Sequence, residues 1–538
     1  MDRRCGVCYQ LRACFGKLLF ARFSHFVRSL LFAPDLHGYF SNSHIERLVC
    51  ADDRRLLWRV YFRHELGHFW VAKKRGVKVE RFSIGFGPAI YKWMGKDGVE
   101  YRLSWLPLGG YVALPQLADM RGIEGAPTAE TTALPSPSYT TRMLVFVAGA
   151  TMNILFALAL ATVIWQVGVP ANASTQRAKI GYVMPEMSLP DGKTVPSPAI
   201  NAGLRPGDLI TAIDGEPVQT WDEMRQILFT GSGRTDDGRP QAILTVKRGN
   251  ETLILSARPV LAGDEHMRML GVSPYEQLKV ALVDKDSLAS RSGLLPGDIL
   301  QTLDGKELTS VQNYVQGLRA APARASLLGI ERSGVQQVLT IPARPEAKEP
   351  ADLGVEFDPE IILIHPNPWQ QITAHVRMTL RTLGSLINRH SDVGISKLSG
   401  PIGIARVFHL TAQVDIRLVL WFTILVNINL AIFNLLPLPV LDGGHMLFAT
   451  LGKLRGRALP QDFIQTVQTG FVTLLLMMML YVSFFDVRRI TRDHTTSNEE
   501  TAPAAPAPDL APAPSPTSPS PSPTSPAMPA ADVPAKEP

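Results

Sequence analysis

His64-Glu65-Leu66-Gly67-His68 sets two imidazoles four positions apart with a carboxylate beside the first. On a helix, positions i and i+4 share a face, so both rings can reach one ion while Glu65 points at the water next to it. The chemistry this serves is zinc-assisted hydrolysis. Zinc lowers the pKa of its water toward ~7 and polarises a scissile carbonyl, and the carboxylate takes the proton and later delivers it to the leaving amine. A third-ligand candidate lies far downstream. It is Asp442, in the run Asn434-Leu435-Leu436-Pro437-Leu438-Pro439-Val440-Leu441-Asp442-Gly443-Gly444-His445. Pro437 and Pro439 stop regular helix, and Asp442-Gly443-Gly444 allows a tight turn inside or beside a membrane. A carboxylate at that depth is costly unless it pairs or binds metal. His445 is a ligand by chemistry alone, but a catalytic site keeps one position open for water, so it is left out. Taken alone, the histidines also fit a surface pair and Asp442 a helix cap, and the surrounding elements decide.

Those elements read as a multi-pass α-helical membrane protein. The 538 residues, 46% hydrophobic and 19% charged, leave room for two to four domains and exclude a chain that is disordered or fibrous as a whole. Residues 143–165 hold no charged side chain and are long enough to cross a bilayer as a helix. A second span is expected over 418–445, ending in the Leu441-Asp442-Gly443-Gly444 run, and a third over 468–486. Residues 367–389 read as an amphipathic, interfacial helix, because His375, Arg377 and Arg381 interrupt the apolar positions. From Thr501 onward the chain turns to Ala, Pro, Ser and Thr, too poor in large apolar residues to fold, and a disordered C-terminal tail is expected over 493–538.

Between the first two spans the sequence repeats itself. Ala202-Gly203-Leu204-Arg205-Pro206-Gly207-Asp208-Leu209-Ile210 followed by Ile213-Asp214-Gly215 returns as Ser292-Gly293-Leu294-Leu295-Pro296-Gly297-Asp298-Ile299-Leu300 followed by Leu303-Asp304-Gly305. Ile180-Gly181-Tyr182-Val183 and Leu270-Gly271-Val272 keep the same spacing and are read as a second matched pair. Each copy carries a Pro-Gly-Asp turn, an apolar strand and an Asp-Gly hairpin signal. The unit resembles the PDZ domain, so two tandem PDZ-like α+β domains are expected over 177–262 and 267–346. PDZ domains accept an extended chain at a sheet edge, which implies peptide ligands, while the bland reading is a pair of β-rich spacers.

With these motifs in order, the chain resembles the site-2 protease family of intramembrane zinc metalloproteases, in its bacterial regulator-of-sigma-E type with two PDZ domains. The match is carried by His64-Glu65-x-x-His68, Phe82-Ser83-Ile84-Gly85-Phe86-Gly87, Pro107-Leu108-Gly109-Gly110-Tyr111-Val112, the repeated units, Ser399-Gly400-Pro401 and the run from Asn434 to Gly444, over roughly residues 64 to 490. The resemblance implies His64, His68 and Asp442 as ligands of Zn2+, Glu65 as the general base and Asn434 as a holder of the substrate backbone. It also implies that the region 64–142 joins the zinc-binding helix to a membrane-dipping β-hairpin, in which Gly85, Phe86 and Gly87 offer an edge to an unwound substrate. A helical peptide bond is shielded by its own hydrogen bonds, so a protease in the bilayer must supply replacement partners. Gly149 and Asn153 fit a small-residue helix contact and a polar hydrogen bond, although the family often has Pro where Ala150 stands.

Residues 1–63 depart from the pattern. The family leads into its first His with an apolar span, whereas residues 45–63 here carry Glu46, Arg47, Asp52, Asp53, Arg54, Arg55, Arg59 and Arg63. Each charge costs about 2.5–3.5 kcal/mol in hydrocarbon, so no first span is evident. The favoured expectation is a misassigned start or frame disruption. The alternatives are a divergent basic arm along the interface, with only 56–72 forming a short helix, and a lost span with lost activity. All four cysteines, Cys5, Cys8, Cys14 and Cys50, fall in this segment, and an isolated Cys5-x-x-Cys8 is poor evidence for a metal or redox site.

Lys73, Lys74, Arg75, Lys78, Arg81, Lys92, Lys96 and Arg102 precede the first clear span, and Lys453, Arg455 and Arg457 lie between the last two. Both loops read as cytoplasmic, which puts the PDZ-like pair on the periplasmic face of a bacterial inner membrane; Arg488, Arg489 and Arg492 pull the other way. The net charge of +6 is gathered beside the apolar segments, which argues against nucleic acid. The function expected is regulated intramembrane proteolysis of a single-span protein such as an anti-sigma factor, with the lipid bilayer as surroundings. The rivals are a catalytically inactive adaptor that binds peptides through the PDZ-like domains and a metallopeptidase of soluble peptides.

Overall fold

The computed structural model describes residues 62–117, 135, 137–263, 266–320, 322–344 and 353–501, so 1–61 and 502–538, with the expectations that fall on them, lie outside the described residues. The first element, α1 (62–74), carries the His-Glu-x-x-His run. Two long strands follow, β1 (Arg81–Met94) and β2 (Glu100–Ala113). Both strands bend, with Gly85, Gly87 and Gly109 at positive φ. Each residue from Arg81 to Ile84 therefore faces two partners, one in 100–103 and one in 110–113, while 91–94 pair with the far side of 100–103. The hairpin thus forms a small sheet with 110–113 at one margin. Its inner face, Phe82, Val112 and Leu114, packs with Ala72 of α1 and with Val145 and Phe146.

Val145 and Phe146 belong to α2 (Tyr139–Val167), capped by the Ser138 hydroxyl, which accepts from the Thr141 N–H, and closed at Gly168. Among the described residues, three helices are long and apolar enough to cross a membrane: α2, α7 (Ile416–Leu435) and the 461–492 part of α9 (Gln461–Thr501). Ala157, Ala161 and Ile164 of α2 pack on Ile424 and Ile428 of α7, and Ile372 of α5 (Pro368–Ile387) joins the same cluster. Within the 367–389 segment the helix is Pro368–Ile387, and its Ile372 and Val376 pack against the two spans. An additional helix, α6 (Pro401–Val414), precedes α7.

The span read as 418–445 is two helices. α7 stops at Leu435, the Pro437 and Pro439 stretch breaks the chain, and α8 (Asp442–Leu454) starts at the aspartate. Gly443 and Gly444 make no turn, being helical residues in the first turn of α8. They are glycine because a Cβ would lie 2.2 Å from the Leu436 carbonyl at Gly443 and 2.0 Å from that of Leu438 at Gly444. At the other end, α9 runs past both expected limits to Thr501, so residues 493–501 are helical rather than tail. From Arg488 on the chain forms its own unit.

Between α2 and α5 lie the two repeated units. The first holds α3 (Trp221–Thr230) and the second α4 (Val311–Ala320), each with its own buried core. The Pro-Gly-Asp match is a true structural repeat. Asp208 accepts from the Arg205 N–H and from Arg248, which also reaches the Gly203 carbonyl; Asp298 accepts from the Leu295 N–H and from Arg332, which reaches the Gly293 carbonyl. Asp214 and Asp304, at φ near 50°, each begin an Asp-Gly hairpin turn. The second matched pair is different. Strands Ile180–Val183 and Val272–Pro274 are antiparallel neighbours within the first unit, and their counterparts in the second are Leu278–Val283 and Val355–Phe357. The closing strand of each unit returns late to pair with the opening one, so the cores reach Leu270 and Leu353, beyond the expected ends at 262 and 346. Asp392, after α5, fastens the first unit to the helices through Arg234 and Arg268, each at 2.6 Å.

Burial pushes the Asp298 carboxyl up, but the Arg332 guanidinium and the Leu295 N–H outweigh it and hold the group below its ordinary 3.8. A lowered carboxylate contributes stability that is full at neutral pH and is lost as pH falls through the folded value. Asp298→Ala is expected to destabilise the second unit by about 2 kcal/mol. Hydrogen exchange of the amides in Ile299–Leu303 and Ser326–Arg332 should accelerate roughly 30-fold at pH 7, and unchanged rates would refute the assignment.

Candidate metal centre

The His64 and His68 side chains leave α1 on one face, and helix spacing alone brings their Nε2 atoms to 3.2 Å. α1 can approach α2 closely because Gly67 has no side chain: a Cβ there would lie 2.5 Å from the Ala148 carbonyl. At the next residue of α2, a Cβ at Gly149 would stand 2.3 Å from His68 Nε2 and 2.5 Å from His64 Cε1. These two glycines make the room the imidazoles occupy. The chain break after α7 then swings Asp442 to the same point, with Oδ2 at 3.3 Å from His64 Nε2 and 3.4 Å from His68 Nε2.

Three ligand atoms from His64, His68 and Asp442 therefore form one cluster, with His68 and Asp442 buried. The chemistry of this set fits zinc. Tetrahedral zinc with ligand bonds of about 2.0–2.1 Å spaces its ligand atoms about 3.3–3.4 Å apart, which is the spacing present. Asp442 Oδ2 is buried and accepts no hydrogen bond, a costly state for a carboxylate without a cation. Outer contacts also match metal-ligand practice. His68 Nδ1 lies 2.8 Å from the Val145 carbonyl, which takes its proton and leaves Nε2 free to coordinate.

Glu65 is half-buried beside the cluster. Gly110, in the marginal segment of the hairpin sheet, meets it: a Cβ on Gly110 would lie 3.2 Å from Glu65 Cγ. Asn434, at the end of α7, places Nδ2 3.3 Å from His64 Nε2. His445 stacks on Phe146 with ring centroids 5.5 Å apart and stands outside the ligand set. Gly85, Phe86 and Gly87 sit at the bend of β1, with Phe86 opposite Leu106 in the strand register and open space where a Cβ at Gly87 would stand. Gly110 is a hairpin residue placed against Glu65. Its signal in the sequence was the Pro107 to Val112 run, which gave no indication of which glycine meets the glutamate. Asn153 of α2 reaches the site as well, with Nδ2 3.3 Å from His64 Nδ1.

The pattern of peptidase family M50 matches residues 56–478. A regulator of sigma E protease from Salmonella typhi is 32% identical over 447 residues, covering 78% of this chain and 95% of that protein. The regulator of sigma-E protease RseP of Escherichia coli (strain K12) is 31% identical over 448 residues, with the same coverage. A Neisseria meningitidis serogroup A protein whose name describes a zinc metalloprotease is 31% identical over 453 residues, 79% of this chain and 96% of its own. Shared motifs across so much of the sequence, the apolar helices and the His-His-Asp cluster lead to one conclusion: the chain belongs to peptidase family M50, the site-2 proteases, and is an intramembrane zinc metalloprotease.

Proposed function

We propose that His64, His68 and Asp442 hold the zinc, that Glu65 is the general base, and that the substrate is a single-span membrane protein of the anti-sigma-factor kind, cut within or near its span. The observation that carries this reading is the meeting of His64 Nε2, His68 Nε2 and Asp442 Oδ2 at 3.2–3.4 Å beside helices α2 and α7, both apolar enough to cross a membrane. Bound there, zinc would polarise the scissile carbonyl and acidify the attacking water. The Glu65 carboxylate takes the proton of that water and returns it to the leaving nitrogen. The margin at Gly110 offers a bare backbone beside Glu65, where an unwound substrate can align as an added strand. Asn434 donates from its amide toward the substrate backbone.

The two repeated units are PDZ-like, with peptide ligands at a sheet edge, on the periplasmic side of the inner membrane. The relatives named for sigma-E regulation support the substrate class, and the cationic loops before α2 and between α8 and α9 support the orientation.

Glu65→Gln is expected to keep zinc and substrate binding while cleavage falls below detection; proteolysis that persists in this variant would remove Glu65 from its role. Asp442→Asn should weaken both metal content and turnover, the former measured by metal analysis after dialysis. Gly149→Ala, whose Cβ would press on both imidazoles, should strip the zinc by the same measurement, and stoichiometric zinc in it would contradict the packing described. A membrane-spanning substrate should be cut in preference to its detached extracellular part. The opposite preference would point to a peptidase of soluble peptides.

A further inference from the structure

Asn153 is fully buried in α2, and its Oδ1 accepts no hydrogen bond, while Nδ2 lies 3.3 Å from His64 Nδ1. A buried amide oxygen left without a donor, beside a ring nitrogen that is a proton carrier in one tautomer, is a mismatch with a single repair. The oxygen and nitrogen of an amide exchange places by a half-turn of the side chain, and which is which is set by the hydrogen bonds it makes. If Nδ2 donated to Nδ1, the ring's proton would sit on Nε2, the atom 3.3 Å from Asp442 and 3.2 Å from His68 Nε2, and Nε2 would have no lone pair to give. With the amide turned, Oδ1 accepts from Nδ1–H, the orphaned oxygen is satisfied, and the Nε2 lone pair faces the cluster.

We propose that Asn153 is a positioning residue that holds His64 in its metal-binding tautomer and ring orientation by accepting from Nδ1–H, as the Val145 carbonyl does for His68. The two supports come from one face of one helix. Val145, Gly149 and Asn153 follow at intervals of four, matching the interval between His64 and His68 on the helix opposite. The backbone carbonyl of Val145 holds one ring, Gly149 leaves the space for both, and the Asn153 amide holds the other. Outer-shell partners of this type set ligand basicity and orientation in metal sites generally, and their loss lowers metal affinity about 10–100-fold.

The proposal rests on His64 being a zinc ligand, and the test separates the two. Full-length protein in detergent is stripped of metal, and zinc affinity is measured by competition with a chromophoric chelator at fixed pH for the wild type, Asn153→Leu and Asn153→Asp. The expected result is a loss of about 10–100-fold in Asn153→Leu, with Asn153→Asp within about threefold of the wild type because its carboxylate accepts the same hydrogen bond. Melting of the zinc-free forms controls for packing, and Asn153→Ala replaces the leucine variant if that one does not fold. Wild-type affinity in Asn153→Leu, or equal losses in the leucine and aspartate variants, would overturn the positioning role while leaving His64 as a ligand. A wild type that takes up no stoichiometric zinc would overturn the ligand assignment and this inference with it.

Discussion

Two imidazole nitrogens and one carboxylate oxygen stand 3.2–3.4 Å apart around one point, and atoms so rich in electrons repel one another unless a proton or a metal cation lies between them. That constraint organises the catalytic half of the molecule. α1 must approach α2 closely, α7 must stop so that α8 can begin at Asp442, and glycines must stand wherever a side chain would hold the backbones apart. Gly67, Gly149, Gly443 and Gly444 each meet a neighbouring backbone or ring within 2.5 Å of where a Cβ would sit. In a low-dielectric setting an unbalanced carboxylate is expensive, so the position of Asp442 ties the fold of this region to its metal.

The hairpin and the repeated units serve this centre differently. The bent strands bring Gly110 against Glu65, which leaves bare backbone beside that carboxylate, and their aromatic and aliphatic inner face anchors them to α1 and α2. The repeated units build stability of their own. Each uses one buried Asp to join a tight turn to an Arg on the neighbouring strand, and each closes with a late-returning strand. The first unit is then tied to the segment after α5 by the Asp392 carboxylate between Arg234 and Arg268. Movement of that unit is therefore coupled to the segment that links α5 to α6.

Some features were legible because they are local. The spacing of His64 and His68 encodes a shared helix face, uncharged apolar runs encode the spans, and the Pro-Gly-Asp and Asp-Gly signals encode turns whose geometry reappears in both units. Other readings failed where local rules meet packing. Gly443 and Gly444 suggested a turn and instead permit a helix start against the Leu436 and Leu438 carbonyls. The similarity of Ile180-Gly181 to Leu270-Gly271 suggested copies and instead joins paired strands of one unit, because both are buried β segments with the same apolar demands. The segment expected as an interfacial helix over 367–389 holds the helix Pro368–Ile387, and its contact with α2 and α7 is a tertiary fact.

The sequence by itself determined the chemistry: which residue types could bind zinc and move a proton, that they stood among membrane-crossing segments, and that two similar units lay between them. Tertiary packing alone brings Asp442 to the two histidines, sets Gly110 against Glu65, and puts the Asn153 amide 3.3 Å from His64 Nδ1 and the Val145 carbonyl 2.8 Å from His68 Nδ1. The reason is range. Helical and strand periods relate residues a few positions apart, whereas Asn434 and His64 meet across 370 positions, and such meetings depend on how whole helices pack.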